Sequence, residues 1–172
     1  MARGPPQGPP EDRRRHRGKE ERAMLQRKPL EDRRTRSTQL IRKLIHSRQE
    51  LLASYQKLVE RRPFTDCPEA PRLLQRLCQL LVDYTANAHF QLFRHFAEQR
   101  ERRRAAAAVA REIYPEVMAL TQAFLDFNDK YDCGDHCRVG PELAEDLARL
   151  GEQLAVRFEL EDRIVEAFLG RR

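Results

Sequence analysis

The feature that most constrains this chain is the spacing of its large apolar residues, which repeats at the helical period in four separate stretches. In the first, about Ser37 to Glu60, Leu40, Ile41, Leu44, Ile45, Leu51, Leu52, Tyr55, Leu58 and Val59 share one arc. That arc spans about 140° when each residue advances 100°. Ser37 or Thr38 offers an N-cap oxygen, and Pro63, Pro68 and Pro71 break the chain after Glu60. A second helix is expected from about Glu69 to Gln99, striped by Leu73, Leu74, Leu77, Leu80, Leu81, Tyr84 and Ala88. A third covers about Arg103 to Tyr131, with Val109, Ile113, Val117, Leu120, Phe124, Phe127 and Tyr131 aligned. Pro115 lies on its outer face and is expected to kink or restart it. A fourth runs from about Pro141 to Phe168 along Leu143, Leu147, Leu150, Leu154, Phe158, Val165 and Phe168. No stretch alternates at period two. The expected fold is therefore all-α, an antiparallel four-helix bundle with short connections.

Charge divides the chain. The net charge is +6, and residues 1–37 alone hold 12 Lys/Arg against 6 Asp/Glu. The same segment holds half of the ten prolines and few large apolar residues, so residues 1–36 read as a disordered basic tail and residues 37–170 as the bundle domain. The tail's arginines allow an alternative function, attraction to nucleic acid, although no aromatic residue is interleaved among them for base stacking. Residues 126–166 hold twelve acidic against five basic side chains, which suits a basic partner.

Several chemistries lack their residues. There is no glycine-rich phosphate loop, no Gly-x-Ser-x-Gly elbow and no Glu-x-x-His pair of a di-iron bundle. Cys133, Asp135, His136 and Cys137 form the one metal-like cluster, with Cys67 or Cys78 as a conceivable fourth ligand. A second Cys/His pair is missing, so an ordinary polar loop is the favoured reading. Neither an enzyme nor a cofactor is expected. No run approaches the about 18 apolar residues of a spanning helix, and Met1 to Pro6 precede no apolar signal region. We read a cytoplasmic protein, monomeric when free.

The informative positions break the stripes. Arg48 falls inside the apolar arc of helix one, Glu161 at the centre of the stripe of helix four, and Arg157 one turn before it. Isolated charges are costly to bury, so mutual pairing of Arg48, Arg157 and Glu161 in or beside the core is expected. His95 projects from the apolar side of helix two and reads as a core histidine. Asp83 and Phe90, seven residues apart, differ by only about 20° around helix two and point away from its leucines. Ala86 and Asn87 share or flank that face, with Arg76 and Arg94 at its margin. An outward ring beside small residues and a carboxylate has the form of a protein contact.

The segment Leu81-Val-Asp-Tyr-Thr-Ala-Asn-Ala-His-Phe90 resembles the helix-two motif of the Rsd/AlgQ family of sigma regulators. Arg157-Phe-Glu-Leu-Glu-Asp-Arg-Ile164 is similar to that family's C-terminal signature, and Arg48-Gln-Glu-Leu-Leu-Ala-Ser-Tyr55 to its first-helix motif. Ile113-Tyr-Pro115 and Phe127-Asn-Asp129 also agree. The resemblance implies an anti-sigma protein that grips the promoter −35-recognising C-terminal domain of the primary sigma factor. It would thereby block that domain's contacts with DNA and with core RNA polymerase. Asp83 would then pair with a basic side chain of sigma and Phe90 would fill an apolar notch. No specific DNA binding by this chain is implied. The family usually carries Asp and Trp where this chain has Arg42 and Leu44.

Overall fold

The computed structural model describes residues 35, 38–88, 93, 104–131 and 139–170, apart from the side chain of Thr65. The chain divides after Thr38, and the second unit, Gln39–Arg172, holds nearly all of the described residues. The described helices are α1 (residues 38–59, its first residue at the boundary), α2 (Ala70–Asn87), α3 (Arg104–Tyr131) and α4 (Leu143–Leu169). A single 3-10 turn, Phe64–Asp66, follows α1. Among the described residues there is no strand, and no helix is long and apolar enough to cross a membrane.

Each helix forms where its apolar period holds and stops where local chemistry ends it. The last turn of α1 tightens, with Arg61 N–H donating to the Leu58 carbonyl, just ahead of Pro63. Pro71 sits at the start of α2, where a missing N–H costs nothing. The Pro141–Glu142 pair forms a turn, so α4 starts at Leu143 and not at Pro141. Gly170 closes α4 at φ 69°, its N–H bonded to the Glu166 carbonyl, in the left-handed cap conformation that glycine reaches without strain. The third helix does not restart at Pro115. It runs unbroken through that residue for 28 positions, with the ring on the exposed side. Regular α2 extends to Asn87, and most of its expected continuation to Gln99 lies outside the described residues. Ala88 and Phe93 both lie in π-type turns, a local widening often tied to function.

Cross-helix bonds set the topology. Arg48, Tyr55 and Arg62 meet α4 at Asp162, Leu147 and Ala144 in turn, so α1 and α4 are antiparallel. Arg163 pairs with Glu112, Arg157 with Thr121, and Lys130 with Asp146, so α3 also runs antiparallel to α4. The core draws Leu51, Leu58, Leu74, Leu77, Leu81, Phe93, Val117, Phe124, Leu143 and Leu147 from all four helical regions. Two residues expected on the inner arc of α1 lie outside it, Ile45 at 42% exposure and Leu52 at 37%. They occupy the edge of an arc wider than the neighbouring helices cover.

Tyr55 donates a 2.8 Å hydrogen bond to the Leu147 carbonyl, and a Cβ at Gly151 would collide with that hydroxyl. In an open helix Gly→Ala gains about 1 kcal/mol. Here Gly151→Ala displaces Tyr55 from its acceptor, and a net loss of about 1 kcal/mol is expected. Equilibrium urea unfolding checks the sign; a gain in stability would contradict the packing described.

Candidate partner-binding face and the charged core beneath it

Helix α2 has two unlike sides. Its inner side buries Leu74, Leu77, Leu81, Tyr84 and Thr85. The Thr85 hydroxyl is satisfied locally by the Leu81 carbonyl at 2.7 Å. Its outer side presents Arg76, Gln79, Asp83, Ala86 and Asn87, all exposed, together with Val82 at 37%. Asp83 is exposed and makes no ion pair with the described residues. The expected companions Phe90, Arg94 and His95 lie outside the described residues, as do Cys133, His136 and Cys137. Among the described residues no group of three His, Cys, Asp or Glu side chains can hold a metal. Of the two positions where the chain departs from the pattern of the family it resembles, Leu44 is in the core at 3% exposure, and only Arg42 is accessible.

Directly behind the outer face of α2 is a buried ion cluster. Glu161, fully buried, accepts from Arg48 Nε at 2.8 Å, Arg157 Nε at 2.7 Å and the Tyr84 hydroxyl at 2.8 Å. Arg48 continues to Asp162 at 2.6 Å and stacks its guanidinium 5.0 Å from the Phe158 ring. Arg157 Nη1 donates to the Val117 carbonyl at 2.9 Å and to Thr121 Oγ1 at 3.1 Å. Its guanidinium lies 5.0 Å from the Phe93 ring centre, while Nη2 is buried without a hydrogen-bond partner among the described residues. The structure thus brings Arg48, Arg157 and Glu161 together and adds Tyr84, Thr121 and Asp162. Within the core Arg157 and Glu161 offset each other, and Arg48 at the lip also meets the exposed Asp162, which is what allows the charges inside.

The electrostatics follow from that arrangement. Burial and the adjacent Glu161 carboxylate hold the Tyr84 hydroxyl well above its ordinary pKa, so it remains a donor. Burial pulls the Arg48 pKa down, but Glu161 and Asp162 outweigh it, and the net shift is upward. Because Tyr84 adjoins Asp83, the cluster fixes the rotation of α2 at the place where its outward carboxylate departs.

Sequence reasoning missed Tyr84 as a ligand of Glu161, because a tyrosine in an apolar stripe reads simply as core. It also missed a second polar centre. Asp146 accepts from the Tyr131 hydroxyl at 2.5 Å, from Lys130 Nζ at 2.5 Å and from Arg149. Asp146, Lys130 and Arg149 edge a cleft of about 350 Å³ shared with Ala123, Asp126, Phe127 and Gln153. A buried aspartate within an α4 stripe was the available signal. Burial alone would raise the Asp146 pKa, but the Lys130, Tyr131 and Arg149 donors outweigh it and hold it at about 2.

The folded value lies below the unfolded one. The stabilisation is therefore fully present above the unfolded pKa near 3.8 and is lost as pH falls toward about 2. Lys130 and Arg149 are largely exposed, so screening reduces the effect to about 1 kcal/mol. Asp146→Asn is expected to lose that much less stability than the parent between pH 5 and 2.5, measured by urea unfolding at about those two pH values. Parallel curves for the two proteins would exclude Asp146 as the titrating group.

The chain matches a family model described as regulator of RNA polymerase sigma(70) subunit, Rsd/AlgQ, over residues 24–169. A protein of Yersinia enterocolitica named regulator of sigma D is 31% identical over 137 residues, covering 76% of this chain and 80% of the relative. The proteins of that name from Yersinia pseudotuberculosis and from Enterobacter sp. (strain 638) are each 30% identical, covering 76% and 75% of this chain and 79% of each relative. No solved structure matches.

Proposed function

The chain belongs to the Rsd/AlgQ family of regulators of the RNA polymerase sigma(70) subunit, and from that premise we propose that it is a non-enzymatic transcription regulator acting by binding sigma. The proposed target is the C-terminal domain of the primary sigma factor, which reads the −35 promoter element through a helix-turn-helix with a basic DNA-facing surface. A protein seated on that surface blocks both promoter contact and docking on core polymerase.

The outer face of α2 is the proposed seat. Asp83 would pair with a sigma Arg or Lys, and Phe90 would fill an apolar notch. Ala86 and Asn87 would allow close approach between the basic margins Arg76 and Arg94. The observation that carries this reading is the exposed Asp83, without an ion pair among the described residues, on a helix whose opposite side is clamped through Tyr84 to Glu161. A preset helix face loses little entropy on docking. The excess of carboxylates in the C-terminal third supports the reading by steering a basic partner.

The proposed protein is monomeric when free and acts in the cytoplasm, with residues 1–36 as a basic extension of a bundle spanning 37–170. Titrating the isolated sigma C-terminal domain into the full chain tests the proposal. A saturable 1:1 complex is expected, with no tight complex on promoter DNA alone. A DNA complex with a steep salt dependence and no sigma complex would favour the nucleic-acid alternative.

A further inference from the structure

Away from α2, helices α1 and α4 carry matched rows of surface residues at a seven-residue period. On α1 the row is Ile45, Leu52 and Val59, the first two exposed at 42% and 37% and the third half-buried. On α4 one row is Glu145, Glu152, Glu159 and Glu166, and beside it lie Ala148 and Ala155, all exposed.

The rows flank one groove. Arg48 and Tyr55, which reach α4, lie on the same shoulder of α1 as Ile45, Leu52 and Val59, about 40–60° further inward. Buried Ser54 and half-buried Ser47 occupy the other shoulder. On α4 the residues met by α1 are Ala144, Leu147, Phe158 and Asp162, and Ala148 and Ala155 sit just outside them. The antiparallel register set by those bonds brings Leu52 level with Ala155 and Val59 level with Ala148. The result is a shallow apolar trough about 21 Å long, the rise of 14 helical residues, bordered along α4 by glutamates about 10 Å apart.

The glutamates differ from their neighbours. Glu112, Asp146, Glu161 and Asp162 are all engaged in ion pairs. Glu145, Glu152, Glu159 and Glu166 make none with the described residues. A row of like charges at this spacing is self-repulsive at low salt, and a cationic partner relieves it.

We infer that the α1–α4 trough is a second docking surface, for a basic amphipathic helix of another protein, occupied independently of the outer face of α2. A guest helix placing apolar side chains at i, i+3/i+4 and i+7 would set them between Leu52 and Ala155. Lys or Arg at its flanking heptad positions would meet the glutamate row, as at the edges of a coiled coil. A second copy of this chain is a poor occupant, because two-fold pairing sets the glutamate row against itself. Residues 1–37 supply positive charge, but their large apolar side chains after Met1 are only Met24, Leu25 and Leu30, with no seven-residue repeat.

The test uses the full-length chain and a synthetic helical peptide with leucines at heptad spacing flanked by lysines. Its control is a peptide of equal charge with the leucines replaced by serine. Fluorescence anisotropy is expected to show 1:1 binding of the leucine peptide, at least tenfold tighter than the serine peptide. The double variant Glu152→Lys/Glu159→Lys, and separately Leu52→Ser, should each weaken it at least tenfold while circular dichroism stays unchanged. Equal affinity for the two peptides would overturn the inference, as would wild-type affinity in both variants. A dimer that dissociates as the peptide binds would assign the trough to self-association and likewise overturn it.

Discussion

Glu161→Ala is expected to lower the unfolding free energy by about 3–5 kcal/mol, the usual cost of removing one partner from a buried ion pair. Glu161 is the single acceptor that Arg48, Arg157 and Tyr84 share. Without it, Arg157 keeps only Val117 and Thr121 while remaining completely shielded from water, and Nη2 already lacks a partner. A domain of this size has about 5–15 kcal/mol in total, so the variant approaches unfolding. The expected ranking is informative. Tyr84→Phe removes one hydrogen bond to a charged group, about 1.5–3 kcal/mol. Arg48→Met should cost less than Glu161→Ala, because Arg48 lies at the lip, 9% exposed, and Asp162 is solvated. Replacing Arg48, Arg157 and Glu161 together by Met, Met and Leu should recover most of the loss, since a well-packed apolar set often matches a buried triad. Equilibrium urea unfolding followed by far-UV circular dichroism gives the order. A Glu161→Ala loss below about 1 kcal/mol would show the cluster to be open to water.

The same cluster separates stability from binding. Asp83 and Tyr84 are adjacent in sequence and about 100° apart around α2, the first exposed and the second buried. Asp83→Arg should leave stability within about 0.5 kcal/mol, as surface substitutions commonly do. It should weaken the proposed sigma complex strongly, because it both removes an attraction and sets a cation against a basic surface. Losing a charged contact at the centre of an interface costs about 2 kcal/mol or more, some thirtyfold in affinity, and the reversed charge adds to that. Phe90→Ala is expected to cost a similar amount if the ring fills a notch. A variant with lowered stability and intact binding, or the converse, identifies which side of α2 it touches.

The helices could be read from the sequence because their apolar spacing is long and regular. Leu74, Leu77, Leu81 and Tyr84 are buried where the period put them, and so are Leu147, Leu150 and Leu154. Charges placed against the period marked a polar core, since Arg157 and Glu161 have no solvent-facing alternative on α4. Periodicity cannot report direction within a side chain. Tyr84 therefore passed as an ordinary core ring, although its hydroxyl completes the shell of Glu161. Nor does it report how wide an arc the neighbours cover, so Ile45 and Leu52 were assigned inward and lie at the surface. The π-type turn at Ala88 is likewise invisible to it, because such a turn leaves the composition unchanged. At Pro115 the structure excludes a restart, one of the two expected outcomes. The proline ring is exposed and helix packing on the other side carries α3 through it.

The proposed function rests on one physical proposition, that an outward carboxylate on a clamped helix is the contact for a basic partner. The most direct test is a calorimetric titration of the primary sigma C-terminal domain into the full chain, comparing the parent with Asp83→Arg and Phe90→Ala. A 1:1 complex is expected for the parent, with affinities at least tenfold weaker for both variants and an unchanged unfolding midpoint for Asp83→Arg. Equal affinity for all three proteins would contradict that proposition.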